Sequence, residues 1–245
     1  MSSIHSTYNP QNPSIVSIES TQYQLGELKG NHIEYDFKKM VIYLQAKGKS
    51  LFGQNFKIFK EDLEIIYKLS CYFIQDQQAC KKLNIDPQKG ILLSGPVGCG
   101  KTTLMKLLRH LTPHKRTYKI IPCRNAVFSF NHIGFKTIED YGNDGFYCFD
   151  DIGIEPMGKH FGVDSNVIGE ILLSRYELFT RNAQLVSESY SKKPAAKSGK
   201  PIVTHGTTNL NADEIEARYG NRVRSRMREL FNLIAFDKNC RDKRK

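Results

Sequence analysis

The sequence predicts an α/β fold built on parallel strands, and three stretches predict it. Ile91, Leu92 and Leu93 form a short apolar run, the mark of a strand buried on both faces, and a glycine loop and a helix follow directly. About 50 residues after that loop, Gly145 to Phe149 is another apolar stretch, and it ends in Asp150 and Asp151. A third, Pro201 to Asn209 (PIVTHGTTN), ends in Thr208 and Asn209. Side by side and parallel, such strands deliver their polar ends to one edge of the sheet.

Gly95-Pro96-Val97-Gly98-Cys99-Gly100-Lys101-Thr102 matches G-x-x-x-x-G-K-[ST], and after Thr103 the residues Leu104, Met105, Leu107, Leu108 and Leu111 recur at helical spacing. Gly95 and Gly100 let the backbone curl, so that consecutive N–H groups line one concavity at the positive end of a helix dipole, where a polyphosphate can sit. Lys101 is placed to reach the β and γ phosphates of ATP, and the Thr102 hydroxyl to take one position on Mg²⁺. An ordinary glycine turn needs neither side chain.

Length and composition bound the rest. The 245 residues suffice for one α/β domain with a smaller attachment. A hydrophobic content of 40% and a charged content of 25% describe a soluble globular chain. No apolar run approaches the ~18 residues that span a bilayer, and MSSIHSTYNPQNPS is not a signal peptide; a cytoplasmic location without membrane partners is expected. Six cysteines without a C-x-x-C pair read as buried free thiols. The net charge of +11 favours anionic partners, nucleic acid first.

Taken in order, residues 1–31 are rich in Ser, Asn, Gln and Pro and read as a flexible arm. Residues 32–85 read as a small helical region: a helix from Glu34 to Ala46, stopped by Gly48 and Gly53, then a longer one from Glu61 to Leu83 with Leu63, Ile66, Tyr67, Ser70, Phe73 and Ile74 on one stripe. Pro87 closes it, and residues 86–245 form the ATPase domain. Within it, Thr117 to Cys123 is a strand, and short helices follow around Phe128 to Ile133 and Lys136 to Asp140.

The strand ending at Asp150-Asp151 is then a Walker B arrangement. Asp150 would hold Mg²⁺ through water and Asp151 would polarise the attacking water, with Glu155 as a substitute base. Ile168 to Thr180 is an amphipathic helix. The basic segment Ser187 to Lys200, between the β-prone Gln184 to Val186 and Pro201 to Thr204, is either a hairpin carrying Lys192, Lys193, Lys197 and Lys200 to nucleic acid or a solvated loop.

On a strand between the two Walker strands, Asn209 would touch both the γ phosphate and the lytic water; Asn209 or Asn211 could instead cap the next helix. From Arg218 to Lys245 there are ten Lys/Arg against three Asp/Glu. Arg222, Arg224, Arg226 and Arg228 cannot all face one partner on a helix, so some are available to a neighbouring subunit's nucleotide.

GPVGCGKTT, FYCFDDIGIEP, THGTTNL and RYGNRVRSRMRELFNLIAF together resemble the AAA+ ATPases of the helicase-loader group, the DnaC and IstB-like proteins. The resemblance spans about residues 85–241. It implies a five-stranded parallel sheet flanked by helices without a separate lid domain, Asn209 as sensor 1, and Arg226 as an arginine finger completing the site of the adjacent subunit, with Arg222 as the fallback. Arg241 is similar in position to a sensor 2 arginine that binds nucleotide. A finger acting in trans is worth ~10³ to 10⁵ in rate, so assembly into a homo-oligomer would gate hydrolysis.

The implied partners are DNA, single-stranded for a loader, and a replicative helicase. An IstB-like helper would favour duplex DNA and a transposase, and a nucleotide-switch scaffold would turn over little. A small-molecule kinase needs neither Asn209 nor Arg226. The first 85 residues show no recognisable helicase-binding or zinc module.

Overall fold

A computed structural model of the chain describes residues 7–9, 11–143, 145–189 and 202–244, the side chains of 7–9 and 182–189 excepted. The chain divides into two compact units, Met1–Pro87 with Thr103–Thr117, and Gln88–Thr102 with Tyr118–Lys245.

In the first unit, β1 (Thr7–Asn9), β2 (Asn12–Ile18) and β3 (Thr21–Gln24) form an antiparallel sheet, and β4 (Gly26–Lys29) pairs with β5 (His32–Tyr35). The arm expected over residues 1–31 is therefore corrected: from Asn12 onward it is mostly hairpin. Val16 and Ile18 are buried on one face of β2 while Ile15 and Ser17 are less so, a period-2 pattern too short and too diluted by Ser, Asn and Gln to stand out in the sequence.

Helix α1 (Phe37–Phe52) starts at Asp36, whose carboxylate accepts the N–H groups of Lys38 and Lys39, and buries Met40, Tyr43, Leu44, Lys47 and Gly48. Gly48 does not stop it. The Phe56 ring lies 2.0 Å from where a Cβ on Gly48 would stand, so glycine here serves close packing, and the helix ends at Gly53 with φ 100°. The single helix expected over 61–83 is two, α2 (Leu63–Ile74) and α3 (Gln77–Lys82). Gln75 turns left-handed between them, and Asp76 caps α3. Ile65, Ile66, Leu69, Ser70, Cys71 and Tyr72 are buried in α2, whereas Tyr67 is exposed.

The second unit opens with β6 (Gly90–Ser94), the loop 95–100 and the start of α4 (Lys101–Leu108), a helix that continues into the first unit. Then come β7 (Lys119–Pro122), α5 (Cys123–Ile133), α6 (Lys136–Gly142) and β8 (Tyr147–Ile152). A hairpin of β9 (Gly158–His160) and β10 (Val163–Ser165), not foreseen from sequence, leads to α7 (Val167–Ser189), and the unit closes with β11 (Thr204–Thr208), α8 (Ala212–Leu230) and β12 (Phe231–Ala235).

The five strands run parallel in the order β12-β6-β11-β8-β7. One face of the sheet packs Leu92, Phe149 and Ile152 into a core with Val127, Phe130, Ile168, Ile171, Leu172, Val223 and Met227 from α5, α7 and α8. Gln184 to Val186, β-prone in sequence, lie within α7. Lys192, Lys193, Lys197 and Lys200, the lysines of the expected hairpin, lie outside the described residues. The cysteines are free thiols, all but Cys240 buried. No helix among the described residues is long and apolar enough to cross a membrane.

Candidate functional site

Three strand ends converge. At the end of β6, Gly95 donates its N–H to the Thr208 carbonyl on β11 (3.3 Å), and Gly98 and Gly100 adopt φ of 82° and 102°, which side chains rarely tolerate. Val97 stands exposed at the loop tip beside Pro96, and the Cys99 side chain is buried under it. At the start of α4, Lys101 is only 5% exposed. Its ammonium donates to the carbonyls of Gly95 (2.7 Å) and Pro96 (2.8 Å) and to Asn209 Oδ1 (2.5 Å). All three acceptors are neutral, so the charge is positioned without being cancelled and stays available to an anion. Thr103, the remaining loop candidate, follows in α4.

Asp150, at the end of β8, accepts the Thr102 hydroxyl (2.8 Å) and the Thr207 hydroxyl (2.7 Å) on Oδ1. Thr207 in turn accepts the Asp151 N–H (2.9 Å), and Thr208 Oγ1 donates to the Ile152 carbonyl (2.7 Å). The tip of β11 thus aligns the end of β8 with the phosphate loop. Thr207 was missed in the sequence, where only Thr208 and Asn209 were marked as the strand's polar end; the T-T-N run was the available signal. An adjacent hydroxyl and carboxylate are hard oxygen donors suited to Mg²⁺, and the glycine cradle with Lys101 suits a polyphosphate. When bound, the metal would neutralise charge on the phosphates.

Asp151 takes φ 61°, a conformation aspartate tolerates better than most residues. Burial, and then the neighbouring Asp150 charge, hold its carboxyl above the ordinary aspartate range, against the opposing pull of Lys101 and Arg244. A carboxylate raised in this way is a better proton acceptor. Glu155 is no substitute. Its side chain is 1% exposed, and it accepts the Gly153 N–H (2.8 Å) and the Tyr219 hydroxyl (2.6 Å), with Arg218 at 3.7 Å. It fastens α8 to the turn after β8.

Asn209 directly follows β11, the strand between β6 and β8, and accepts from Lys101, while Asn211 caps α8 in a capping box with Glu214. Of the two asparagines, Asn211 is the one that caps the helix. Arg226 is not among the residues brought together. It lies on α8, stacked on the Tyr176 ring (4.4 Å), and Arg222 is exposed with no ion-pair partner among the described residues.

The C-terminal segment reaches the loop through Asp242 and Lys243. Lys243 donates its N–H to the Gly98 carbonyl (3.0 Å) and its ammonium to the Cys99 carbonyl (2.6 Å). Asp242 packs where a Cβ on Gly98 would stand and forks onto Arg244 (3.1 and 3.2 Å). No motif marks these residues, and only their position after β12 places them here.

A glycine loop, Lys101 and Thr102 at a helix start, Asp150 at the end of a strand two places away and Asn209 just past the strand between them form a P-loop-like arrangement at one end of a five-stranded parallel α/β sheet. Among solved structures, the chain is similar to the DnaC helicase loader, with 16% identity and a TM-score of 0.47 over 75% of this chain and 94% of that one. It is also similar to PCH-2 of C. elegans, with 14% identity and a TM-score of 0.40 over 78% of this chain and 46% of that one. No protein-family model and no curated protein matches the sequence.

Proposed function

We propose that this chain binds ATP with Mg²⁺ and hydrolyses it in a homo-oligomer, in which Arg226 of one subunit completes the site of the next, and that it acts on single-stranded DNA as a cytoplasmic loader of a replicative helicase. The observation that carries the ATPase part is the convergence of Lys101, Thr102, Asp150 and Asn209 at one sheet edge through bonds of 2.5–2.8 Å. In this reading Lys101 and the loop N–H groups orient the polyphosphate. Asp150 and Thr102 hold the metal, Asp151 takes a proton from water, and Asn209 fixes that water. The C-terminal Lys243, bonded to the loop, adds cationic support within the chain beside the nucleotide-binding Arg241.

The DNA part is supported by charge and by the β9–β10 hairpin. Phe161 at its tip is 94% exposed with φ 47°, a strained setting for an aromatic residue, and Lys159 and Val163 beside it are also exposed. An exposed ring next to a cation is a stacking platform for unpaired bases, worth ~1–3 kcal/mol per base.

The test is steady-state ATP hydrolysis per subunit across a protein concentration series, with and without single-stranded DNA. The reading expects the specific rate to climb with concentration and to rise further with single strands more than with duplex. A flat, DNA-indifferent rate sinks the loader reading, and stimulation by long duplex alone turns it toward the transposition helper.

A further inference from the structure

Arg226 does not hang free on α8. Its guanidinium stacks on the ring of Tyr176, with 4.4 Å from the guanidinium carbon to the ring centroid, and its Nη1 donates both to the Tyr176 hydroxyl (3.2 Å) and to Glu229 Oε1 (3.2 Å). The Tyr176 hydroxyl donates to the other Glu229 oxygen, Oε2, at 2.8 Å. The three side chains close a ring of contacts between α7 and α8.

Two features separate this ring from an ordinary surface ion pair. An isolated i,i+3 pair such as Arg226–Glu229 leaves two long side chains mobile and is worth little. Here the guanidinium lies over the aromatic face and the shared carboxylate holds the hydroxyl. In addition, every described bond of the guanidinium uses Nη1. Nε and Nη2 remain for a bidentate contact with a phosphate, the geometry that distinguishes arginine from lysine. The hydrogen bond to Glu229 also holds the Tyr176 phenol above its ordinary titration range, so it stays a donor.

We infer that Tyr176 and Glu229 are positioning residues for Arg226, holding its guanidinium flat at the subunit surface with Nε and Nη2 presented to the nucleotide of a neighbouring copy of this chain. The inference rests on the reading of Arg226 as a finger acting in trans. Stacking removes the rotamer freedom that the side chain would otherwise lose at the transition state, and a misplacement of ~1 Å in such a contact can cost ~10²-fold in rate. Neither residue touches the phosphate loop or Asp150 within its own chain, so their effect belongs to kcat in the assembly and not to nucleotide affinity.

The experiment compares Tyr176→Ala, Tyr176→Phe, Glu229→Ala and Arg226→Ala in the full chain. It measures kcat at a saturating protein concentration, affinity for a fluorescent ATP analogue, and melting temperature. Tyr176→Ala is expected to lower kcat by about tenfold or more and Tyr176→Phe, which keeps the ring, by about threefold, with analogue affinity within about twofold of wild type. Glu229→Ala, an exposed change on α8 that leaves the fold intact, is expected to fall between them. Full kcat in Tyr176→Ala and Glu229→Ala alongside a depressed Arg226→Ala overturns the positioning role and leaves the finger standing. Full kcat in Arg226→Ala overturns the finger, and the inference with it. A fall in kcat only in step with a lower melting temperature assigns the ring a structural role and overturns the inference as well.

Discussion

The phosphate loop and helix α8 each present a cation, and they hold it in opposite ways. Lys101 is 5% exposed and bonded to two carbonyls and an amide, all from its own unit. The Arg226 side chain is 39% exposed and lies against an aromatic face and a carboxylate. Neutral acceptors keep a buried charge solvated without cancelling it, as a ligand arriving at the same place requires. An aromatic face and a carboxylate stabilise a charge that must survive at the surface until something more anionic reaches it. The first arrangement is complete within one chain; the second is what a residue serving another chain would need.

The sharpest way to break the comparison is to remove each cation in turn. Lys101→Ala is expected to reduce kcat/KM by on the order of 10⁴ or more, because it removes the charge that meets both the bound phosphates and their transition state. Analogue affinity should fall with it. Arg226→Ala is expected to lower kcat by on the order of 10³ and leave analogue affinity unchanged. Equal loss of affinity in the two variants would show that both cations serve the same chain's nucleotide, and the contrast drawn between them would be wrong.

Asp151 gives the next effect. Asp151→Asn is expected to lower kcat by ~10²–10⁴ while sparing binding. In the wild type the acid limb of the rate profile should lie above the ordinary aspartate range. The base works deprotonated and burial raises its pKa, so activity is lost as the pH falls through that raised value. Arg244 pulls the pKa down, and Arg244→Ala should move the limb to higher pH. A limb that stays in place would remove either Asp151 as the base or Arg244 as its neighbour. Lys243→Ala should weaken analogue binding by about tenfold, the cost of one charge-assisted contact, with little change in kcat.

The parts legible in the sequence are those where one local stretch carries the whole requirement. The loop 95–102 must be a glycine loop between strand and helix whatever surrounds it, and the apolar residues 91–93 and 148–149 must be buried. Asn209 follows a strand whose T-T-N end is polar, and the structure sets it against Lys101. Residues whose role comes from contacts distant in sequence were not legible. Thr207 matters because register sets it against Asp150, 57 residues away, and Lys243 because the chain after β12 returns to a loop 144 residues earlier. Glu155 misled for the same reason: its spacing after Asp151 suited a base, and only Tyr219, 64 residues on, shows where its carboxylate is spent. The hairpins before residue 36 failed differently, since alternation over four to seven residues among polar neighbours carries too little signal.

The smallest effect on turnover is expected at His205, which ties the two strands the site depends on without touching the site. Its Nδ1 accepts the Ile91 N–H at 3.1 Å, joining β11 to β6, and its ring packs at a tilt against Tyr118, with centroids 4.7 Å apart. Full burial, and secondarily the Arg175 charge, push its pKa down from 6.5 to about 3. The unfolded chain therefore takes up this proton first as the pH falls. The stability that the neutral ring contributes is complete above about pH 6.5 and drains away from there toward about pH 3. His205→Asn keeps an acceptor for the Ile91 N–H but cannot titrate. It should leave turnover at neutral pH within about twofold and flatten the dependence of melting temperature on pH across that window. Parallel curves for the two proteins would mean that other groups carry the acid sensitivity and that this histidine is a packing residue alone.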